Sequence, residues 1–191
     1  MSLSSKLPQV GTTIFTTMSR LAQEENAINL AQGFPGFGSD PKLLELVAKY
    51  TREGFNQYAP MSGVSELKLA LATKTQLTQG YFPDPESEVT IVSGATEALF
   101  AAITAVVRPG DEVIVPSHTF IGTANSVIHA GATPVLADID PNTFNICEKT
   151  IFPCIGPRTR AIVVVHQVGR PAPLKEIAEL SRKYNLTLIE D

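Results

Sequence analysis

Short apolar runs alternate with amphipathic stretches along the second half of the chain. A strand that is buried on both faces is apolar throughout, whereas a surface helix repeats apolar residues every three or four positions. The predicted strands are Val89–Val92, Glu112–Pro116, Pro134–Ala137, Ala161–His166 and Leu186–Glu190. Helices are predicted after Ser93-Gly94, from about Phe120 to Ala130 and over Leu174–Tyr184, with Asp138–Pro157 irregular. This order predicts an α/β fold with a mostly parallel sheet and helices on both faces.

The first half is richer in loops. Residues 1–10 are predicted to be a loose arm, and an amphipathic helix is predicted from Gly11 to about Asn26. A second helix is predicted after Asp40-Pro41, since aspartate caps helix N-termini and proline suits the first helical position. A third is predicted through Leu67 and Leu71 to about Gln79. Between them, Asn29–Phe37 and Asn56–Gly63 contain Gly and Pro and are predicted loops.

The turn at Ser93-Gly94 is the most suggestive local feature. A strand, a tight turn and a helix start there would direct the backbone N–H groups of Gly94, Ala95 and Thr96 to one spot, at the positive end of the helix dipole. Such a spot suits a phosphate. On its own the stretch is also compatible with an ordinary strand-to-helix turn, and it lacks the Gly-Lys-[Ser/Thr] of a Walker loop and the three-glycine dinucleotide turn.

Parallel-sheet proteins bind ligands off the carboxyl ends of their strands. The predicted order brings the Gly94 turn, Ser117–Phe120, His166-Gln167 and Asp191 to that edge. Their convergence is the first indication of a functional site.

Composition excludes several classes of protein. The 191 residues are 43% hydrophobic and 18% charged, with a net charge of −4, which is typical of a globular protein without general attraction to nucleic acid or anionic membranes. No apolar run is long enough to span a bilayer, and the N-terminus lacks the apolar region of a secretory signal. Cys147 and Cys154 are the only cysteines, so we expect reduced thiols in a cytoplasmic protein. The three histidines are too scattered to predict a metal site.

The chain resembles fold-type I enzymes that depend on pyridoxal 5′-phosphate (PLP), in two unlike parts. Residues from about 7 to 111 resemble class I/II aminotransferases of the methionine and kynurenine–glutamine transaminase kind. The stretches that carry this are Gln32-Gly33-Phe34-Pro35, Asn56-Gln57-Tyr58-Ala59-Pro60-Met61-Ser62-Gly63 and Ser93-Gly94-Ala95-Thr96-Glu97-Ala98. Residues from about 110 to 191 resemble the DegT/DnrJ/EryC1 sugar aminotransferases. There the matching stretches are Val115-Pro116-Ser117-His118-Thr119-Phe120, Asp138-Ile139-Asp140-Pro141, Val164-Val165-His166 and Ile189-Glu190-Asp191.

The resemblance implies a role for each matching position in the cofactor site. Gly94, Ala95 and Thr96 would bind the PLP phosphate, and Phe120 would stack on the pyridine ring. Asp191 would pair with the pyridine nitrogen and keep it protonated, so that the ring can accept electrons from the substrate. As alternatives, Phe120 would be a core phenylalanine and Asp191 a charged residue that ends a strand.

Three further positions match the substrate side of class I/II enzymes. Tyr58 would reach the cofactor phosphate of a neighbouring subunit, while Gly33 and Phe34 would line the substrate pocket. These roles require a homodimer or another partner chain. The alternatives are a partly buried loop tyrosine and an exposed loop aromatic.

The resemblance also implies which parts of the enzyme the chain contains. Residues 1–40 would be an N-terminal arm and substrate-side loop, and 41–191 an incomplete PLP-binding large domain. We expect the C-terminal small domain to be absent. In the resembled families the Schiff-base lysine lies downstream of the aspartate that Asp191 matches, so no catalytic residue is assigned. The strand before Ser93 is expected to lack the neighbour it has in those enzymes.

The leading hypothesis is thus an aminotransferase-like protein, acting between a small-molecule amino donor and a keto acid or keto sugar, and catalytically incomplete as a fragment or hybrid. One alternative is a non-catalytic descendant that binds PLP or a partner protein. Another is a generic phosphate-binding α/β domain, which predicts neither an aromatic ring nor a carboxylate beside the phosphate spot.

Overall fold

The computed structural model describes residues 11–33 and 35–191. The chain divides into two compact units, a first that ends at Tyr58 and a second that spans Ala59–Asp191. Across the described residues, no helix combines the length and the apolar composition needed to cross a bilayer.

The first unit contains the two helices predicted for it. Helix α1 (Ile14–Glu24) begins after Thr13, whose hydroxyl accepts a hydrogen bond from the Thr16 N–H at 3.3 Å. Helix α2 (Pro41–Arg52) begins with the predicted cap, in which the Asp40 carboxylate accepts from the Lys42 N–H at 2.8 Å. Neither helix buries a residue, so the apolar side of α2 is exposed.

The second unit is a parallel α/β sheet with its helices. Helices α3 (Ser65–Gln79) and α4 (Ala95–Val106) precede the first strand. The remaining elements are β1 (Glu112–Pro116), α5 (Ile121–His129), β2 (Thr133–Ala137), α6 (Glu148–Ile151), β3 (Thr159–Val164), α7 (Leu174–Tyr184) and β4 (Thr187–Glu190). The sheet order is β2-β1-β3-β4, and every neighbouring pair is parallel. The predicted α/β fold is therefore confirmed.

Alternate residues of the central strands face two separate cores, as the pleat of a doubly covered sheet requires. In β1, Val113 and Val115 pack with Leu99 and Ile103 of α4 on one face. Between them Ile114 faces the opposite side, where it packs with Ile177 of α7. The continuous apolar runs seen in the sequence thus arise because helices cover both faces.

Two local predictions were wrong. Residues 89–92 form no strand; the Ile91 N–H instead donates to the Ser62 carbonyl at 3.0 Å, and none of the described strands lies beside this segment to pair with it. The stretch Asp138–Pro157, predicted to be irregular, contains α6 and a 3₁₀ turn at Phe152–Cys154. Helix α6 has only four residues, too few for a helical repeat to be seen in the sequence.

Candidate functional site

A cavity of about 310 Å³ opens at the carboxyl edge of the sheet, within the second unit. Its volume is in the range of small-molecule sites. The start of α4, the segment after β1, the start of α5, the segment after β3 and the residue after β4 all contribute to its walls. The lining residues are Ala95, Thr96, Leu99, Thr119, Phe120, Gly122, Thr123, Val165, His166, Gln167, Val168 and Asp191.

One end of the cavity is the N-terminus of α4. Gly94 precedes the helix with φ +94° and ψ 164°, a conformation that is essentially restricted to glycine. Within the described residues, no protein group accepts a hydrogen bond from the N–H of Ala95 or Thr96. The Ser93 N–H is already bonded to the Glu97 carboxylate at 2.6 Å. The open donors at this helix start therefore include those of Ala95 and Thr96, which suit an anion.

The aromatic wall is Phe120, which immediately precedes α5. Its ring is 63% exposed and lines the cavity, so it is not the core phenylalanine of the alternative interpretation. Gly122 lets the ring lie close to the helix, because a Cβ at this position would come within 2.8 Å of the Phe120 ring.

The acidic wall is Asp191, next after β4. Its backbone N–H donates to the Val164 carbonyl at 2.8 Å, which continues the β3–β4 ladder by one residue. One carboxylate oxygen, Oδ2, accepts from the Thr123 hydroxyl at 2.9 Å. Thr123 was not predicted from the sequence, although it follows Phe120 by three positions, the spacing that places both on one side of a helix.

His166 and Val168 form the rim after β3. The Ala172 N–H donates to His166 Nδ1 at 3.1 Å, so the ring proton of the neutral imidazole lies on Nε2, 3.2 Å from a Glu190 carboxylate oxygen. Val168 is almost fully exposed and has φ +53°, a left-handed conformation that is strained for a β-branched residue. No pattern in the sequence predicts this strained conformation of Val168.

A buried asparagine supports the rim from below. Asn145 is 1% exposed, its Oδ1 accepts from the Gln167 N–H at 3.0 Å, and its Nδ2 donates to the Arg170 carbonyl at 2.9 Å. The Gln167 side chain in turn donates to the His118 carbonyl. These bonds hold the loop after β3 against the segment after β1.

The remaining predicted site residues belong to the first unit, whereas every residue that lines the cavity belongs to the second. Tyr58 is fully exposed, and Gly33 lies in an exposed loop. Phe34 lies outside the described residues. The structure thus brings together Ala95, Thr96, Phe120 and Asp191.

The chemistry of the walls fits PLP. The cofactor has a phosphate at one end, which suits the open N–H donors of α4, and a ring nitrogen at the other, which suits a carboxylate when protonated. The exposed phenylalanine ring in the cavity lining suits an aromatic ring.

Comparison with known proteins agrees with this fit. The sequence profile of the DegT/DnrJ/EryC1/StrS aminotransferase family matches residues 85–191. The chain is 46% identical over 160 residues to the methionine aminotransferase of Escherichia coli (strain K12), which covers 84% of this chain and 42% of that protein. It is 49% identical over 100 residues to GDP-perosamine synthase of Caulobacter vibrioides, covering 52% of this chain and 27% of that enzyme.

Among solved structures, the E. coli methionine aminotransferase YbdL superposes with a TM-score of 0.85 at 38% identity, over all of this chain and 51% of that one. These relatives and structural neighbours are PLP-dependent aminotransferases. The chain spans about half the length of the curated relatives it matches.

The two matches also refine the predicted division of the sequence. The family profile begins at residue 85 and so includes the Gly94 turn, and a 160-residue match to the methionine aminotransferase must extend past residue 111. The two resemblances therefore overlap instead of meeting near residue 110. The resemblance to fold-type I enzymes is confirmed, and the chain belongs to the DegT/DnrJ/EryC1/StrS aminotransferase family.

Proposed function

We propose that this chain carries the PLP-binding part of an aminotransferase that moves an amino group between a small-molecule amino donor and a keto acceptor. The observation that supports this most directly is the cavity at the carboxyl edge, which is lined by the start of α4, by Phe120 and by Asp191. A generic phosphate-binding domain would need only the first of these three walls.

Each wall has a part in the proposal. Gly94, Ala95 and Thr96 hold the phosphate through backbone N–H groups and the helix dipole. Phe120 covers one face of the ring, and the ionised Asp191 holds a proton on the ring nitrogen. When bound, PLP supplies an electron sink for the carbon that bears the substrate's amino group.

The substrate side of the proposal draws on the first unit. Gly33 and Phe34 would line the substrate pocket, and Tyr58 would reach the phosphate of a second copy, which makes the assembly a homodimer. Tyr58 is fully exposed and the apolar side of α2 is partly exposed, which supports a role for both at such a boundary. In this arrangement residues 1–40 serve as arm and substrate-side loop and 41–191 belong to the large domain, in a cytoplasmic protein.

The test is binding of pyridoxamine 5′-phosphate, whose amine does not condense with surface lysines. Gly94→Val introduces a side chain where the anion must approach and a residue that resists φ +94°. We expect Gly94→Val to raise the dissociation constant for pyridoxamine 5′-phosphate at least about tenfold, because the phosphate can no longer reach the N–H donors at the helix start. Equilibrium dialysis of the purified parent and variant chains measures this constant.

A matched control separates binding from backbone strain. Gly110 has nearly the same φ, +90°, and like Gly94 has open space where a Cβ would lie. It follows α4 instead of preceding it, so Gly110→Val should bind the ligand as the parent chain does. Equal binding by Gly94→Val and the parent would refute the proposed phosphate position, and inorganic phosphate competing as well as pyridoxamine phosphate would favour the generic domain.

A further inference from the structure

Three polar side chains that line the cavity, those of Thr119, Thr123 and Asp191, are joined by hydrogen bonds. Thr123 Oγ1 lies 2.9 Å from Asp191 Oδ2, and Thr119 Oγ1 lies 3.3 Å from Thr123 Oγ1. Thr119 and Thr123 are one turn apart at the start of α5, whereas Asp191 is 68 residues beyond Thr123 in the chain. The line therefore joins two elements that are distant in sequence.

The direction of these hydrogen bonds follows from proton count. An ionised carboxylate only accepts, so the single hydroxyl proton of Thr123 is committed to Asp191. The proton between the two threonines must then come from Thr119. Hydrogen bonds that are donated in the same direction along a line polarise one another. The bond from Thr119 to Thr123 therefore strengthens the bond from Thr123 to Asp191.

Burial fixes this line in place. Thr123 is 1% exposed, and the side chain of a β-branched residue is stiff about χ1, so its hydroxyl is held toward the carboxylate. Asp191 itself is exposed at the cavity, and its Oδ1 has no protein partner among the described residues. With Oδ2 held from behind, Oδ1 is the oxygen left for a ligand.

We propose that Thr123 is a positioning residue, which with Thr119 behind it holds the Asp191 carboxylate turned so that Oδ1 can meet the protonated ring nitrogen of the cofactor. This inference rests on the proposed function, because it presupposes a pyridine ring in the cavity. Thr123 acts on the ring nitrogen through its hydrogen bond to Asp191.

The protonation state of the ring nitrogen tests the proposal directly. Pyridoxamine 5′-phosphate labelled with ¹⁵N in the ring is bound to the chain, and the ring-nitrogen chemical shift is followed against pH. Thr123→Val keeps the shape of the side chain and removes its hydroxyl, so the apparent pKa of the bound ring nitrogen should fall by about one unit. Thr123→Ser keeps the hydroxyl and should restore the parent titration.

Two controls define the scale. Asp191→Asn removes the negative charge and should lower the apparent pKa of the ring nitrogen most. The decrease in Thr123→Val should approach that of Asp191→Asn but not exceed it. Thr104→Val removes a helical threonine hydroxyl that bonds only the Phe100 carbonyl, and it should leave the titration unchanged. A titration of Thr123→Val that matches the parent, or one of Thr123→Ser that matches Thr123→Val, would overturn the positioning role.

The failures of the two proposals differ in this experiment. If the parent chain does not bind the labelled ligand, the proposed function fails and the positioning role fails with it. If all variants bind but Thr123→Val titrates like the parent, only the positioning role fails. If Thr123→Val does not fold, Thr119→Val is the variant to test. A reproducible fall in the pKa of the bound ring nitrogen supports the line of hydroxyls, and an unchanged titration refutes it.

Discussion

Two aspartates of the second unit accept hydrogen bonds from different kinds of donor and have different roles. Asp191 accepts from a side-chain hydroxyl and faces the cavity. Asp140 accepts from the backbone N–H groups of Asn142 and Thr143, both at 2.9 Å, and closes the turn that follows β2. The Asp191 carboxylate can contact a ligand in the cavity, whereas the Asp140 carboxylate stabilises a backbone turn.

The turn at Asp140 makes a pH-dependent contribution to stability. Hydrogen bonds from the Asn142 and Thr143 N–H groups lower the pKa of the Asp140 carboxyl in the folded state. A lowered folded pKa adds stability that is present above the unfolded value of about 3.9 and is lost as pH falls through the folded value. Asp140→Asn should therefore melt below the parent at pH 7, and the difference should shrink at pH 3.

Thermal melts at several pH values measure this difference. Asp138→Asn is the control, because Asp138 lies two residues earlier, is exposed, and accepts no hydrogen bond among the described residues. A gap between the parent and Asp140→Asn that stayed constant from pH 7 to pH 3 would contradict the assignment.

At the scale of elements, the loop after β3 depends on Asn145. Its amide satisfies the Gln167 N–H and the Arg170 carbonyl from a buried position. Asn145→Ala leaves the Gln167 N–H and the Arg170 carbonyl without their part-buried partner, and each such hydrogen bond contributes about 0.5–1.5 kcal/mol. We expect a loss of about 1–3 kcal/mol in the free energy of unfolding, measured by urea denaturation.

Asn142→Ala is the matched control for this loss. Asn142 is exposed, and none of the described hydrogen bonds involves its side chain. It should therefore change stability by less than about 0.5 kcal/mol. If the two alanine variants were equally stable, the buried amide would not be what holds the loop.

Two elements whose packing neighbours lie in the described chain were predicted with the bounds that the structure shows. Helix α7 (Leu174–Tyr184) and strand β1 (Glu112–Pro116) have the predicted bounds, because apolar periodicity reports packing that occurs. The run at Val89–Val92 has equally strong β propensity but forms no strand, since pairing depends on a neighbour that propensity does not supply.

The candidate site shows the same division. Ala95, Thr96, Phe120 and Asp191 could be placed at one edge because strand order alone brings carboxyl ends together. Thr123 and Asn145 could not, since their roles depend on hydrogen bonds across 68 and 22 residues of sequence. Side-chain hydrogen bonds between residues so far apart in the sequence produce no periodic pattern of apolar and polar positions.

At the scale of the whole molecule, the proposed homodimer leads to a test on α2. Leu44 and Val47 are each 57% exposed on one side of this helix. Replacing both with glutamate puts charges on a surface that a partner would desolvate, so the dissociation constant of the dimer should rise at least about tenfold. Sedimentation velocity over a concentration series measures the change.

Glu45→Lys provides the control, because it alters charge on the same helix at a residue that is already polar. A dimer that withstands the double glutamate variant would place its boundary elsewhere. A parent chain that stayed monomeric throughout the concentration series would refute the homodimer.

Strand β4 lies at one end of the sheet order, so among the described strands only β3 pairs with it. Its other edge presents main-chain donors and acceptors beside the residue that forms the acidic wall. Any strand added to that edge would lie next to Asp191, which lines the cavity. If such a strand changed the affinity of the cavity for a ligand, the ligand would change the affinity for the strand by the same factor, because coupling between two binding events is reciprocal.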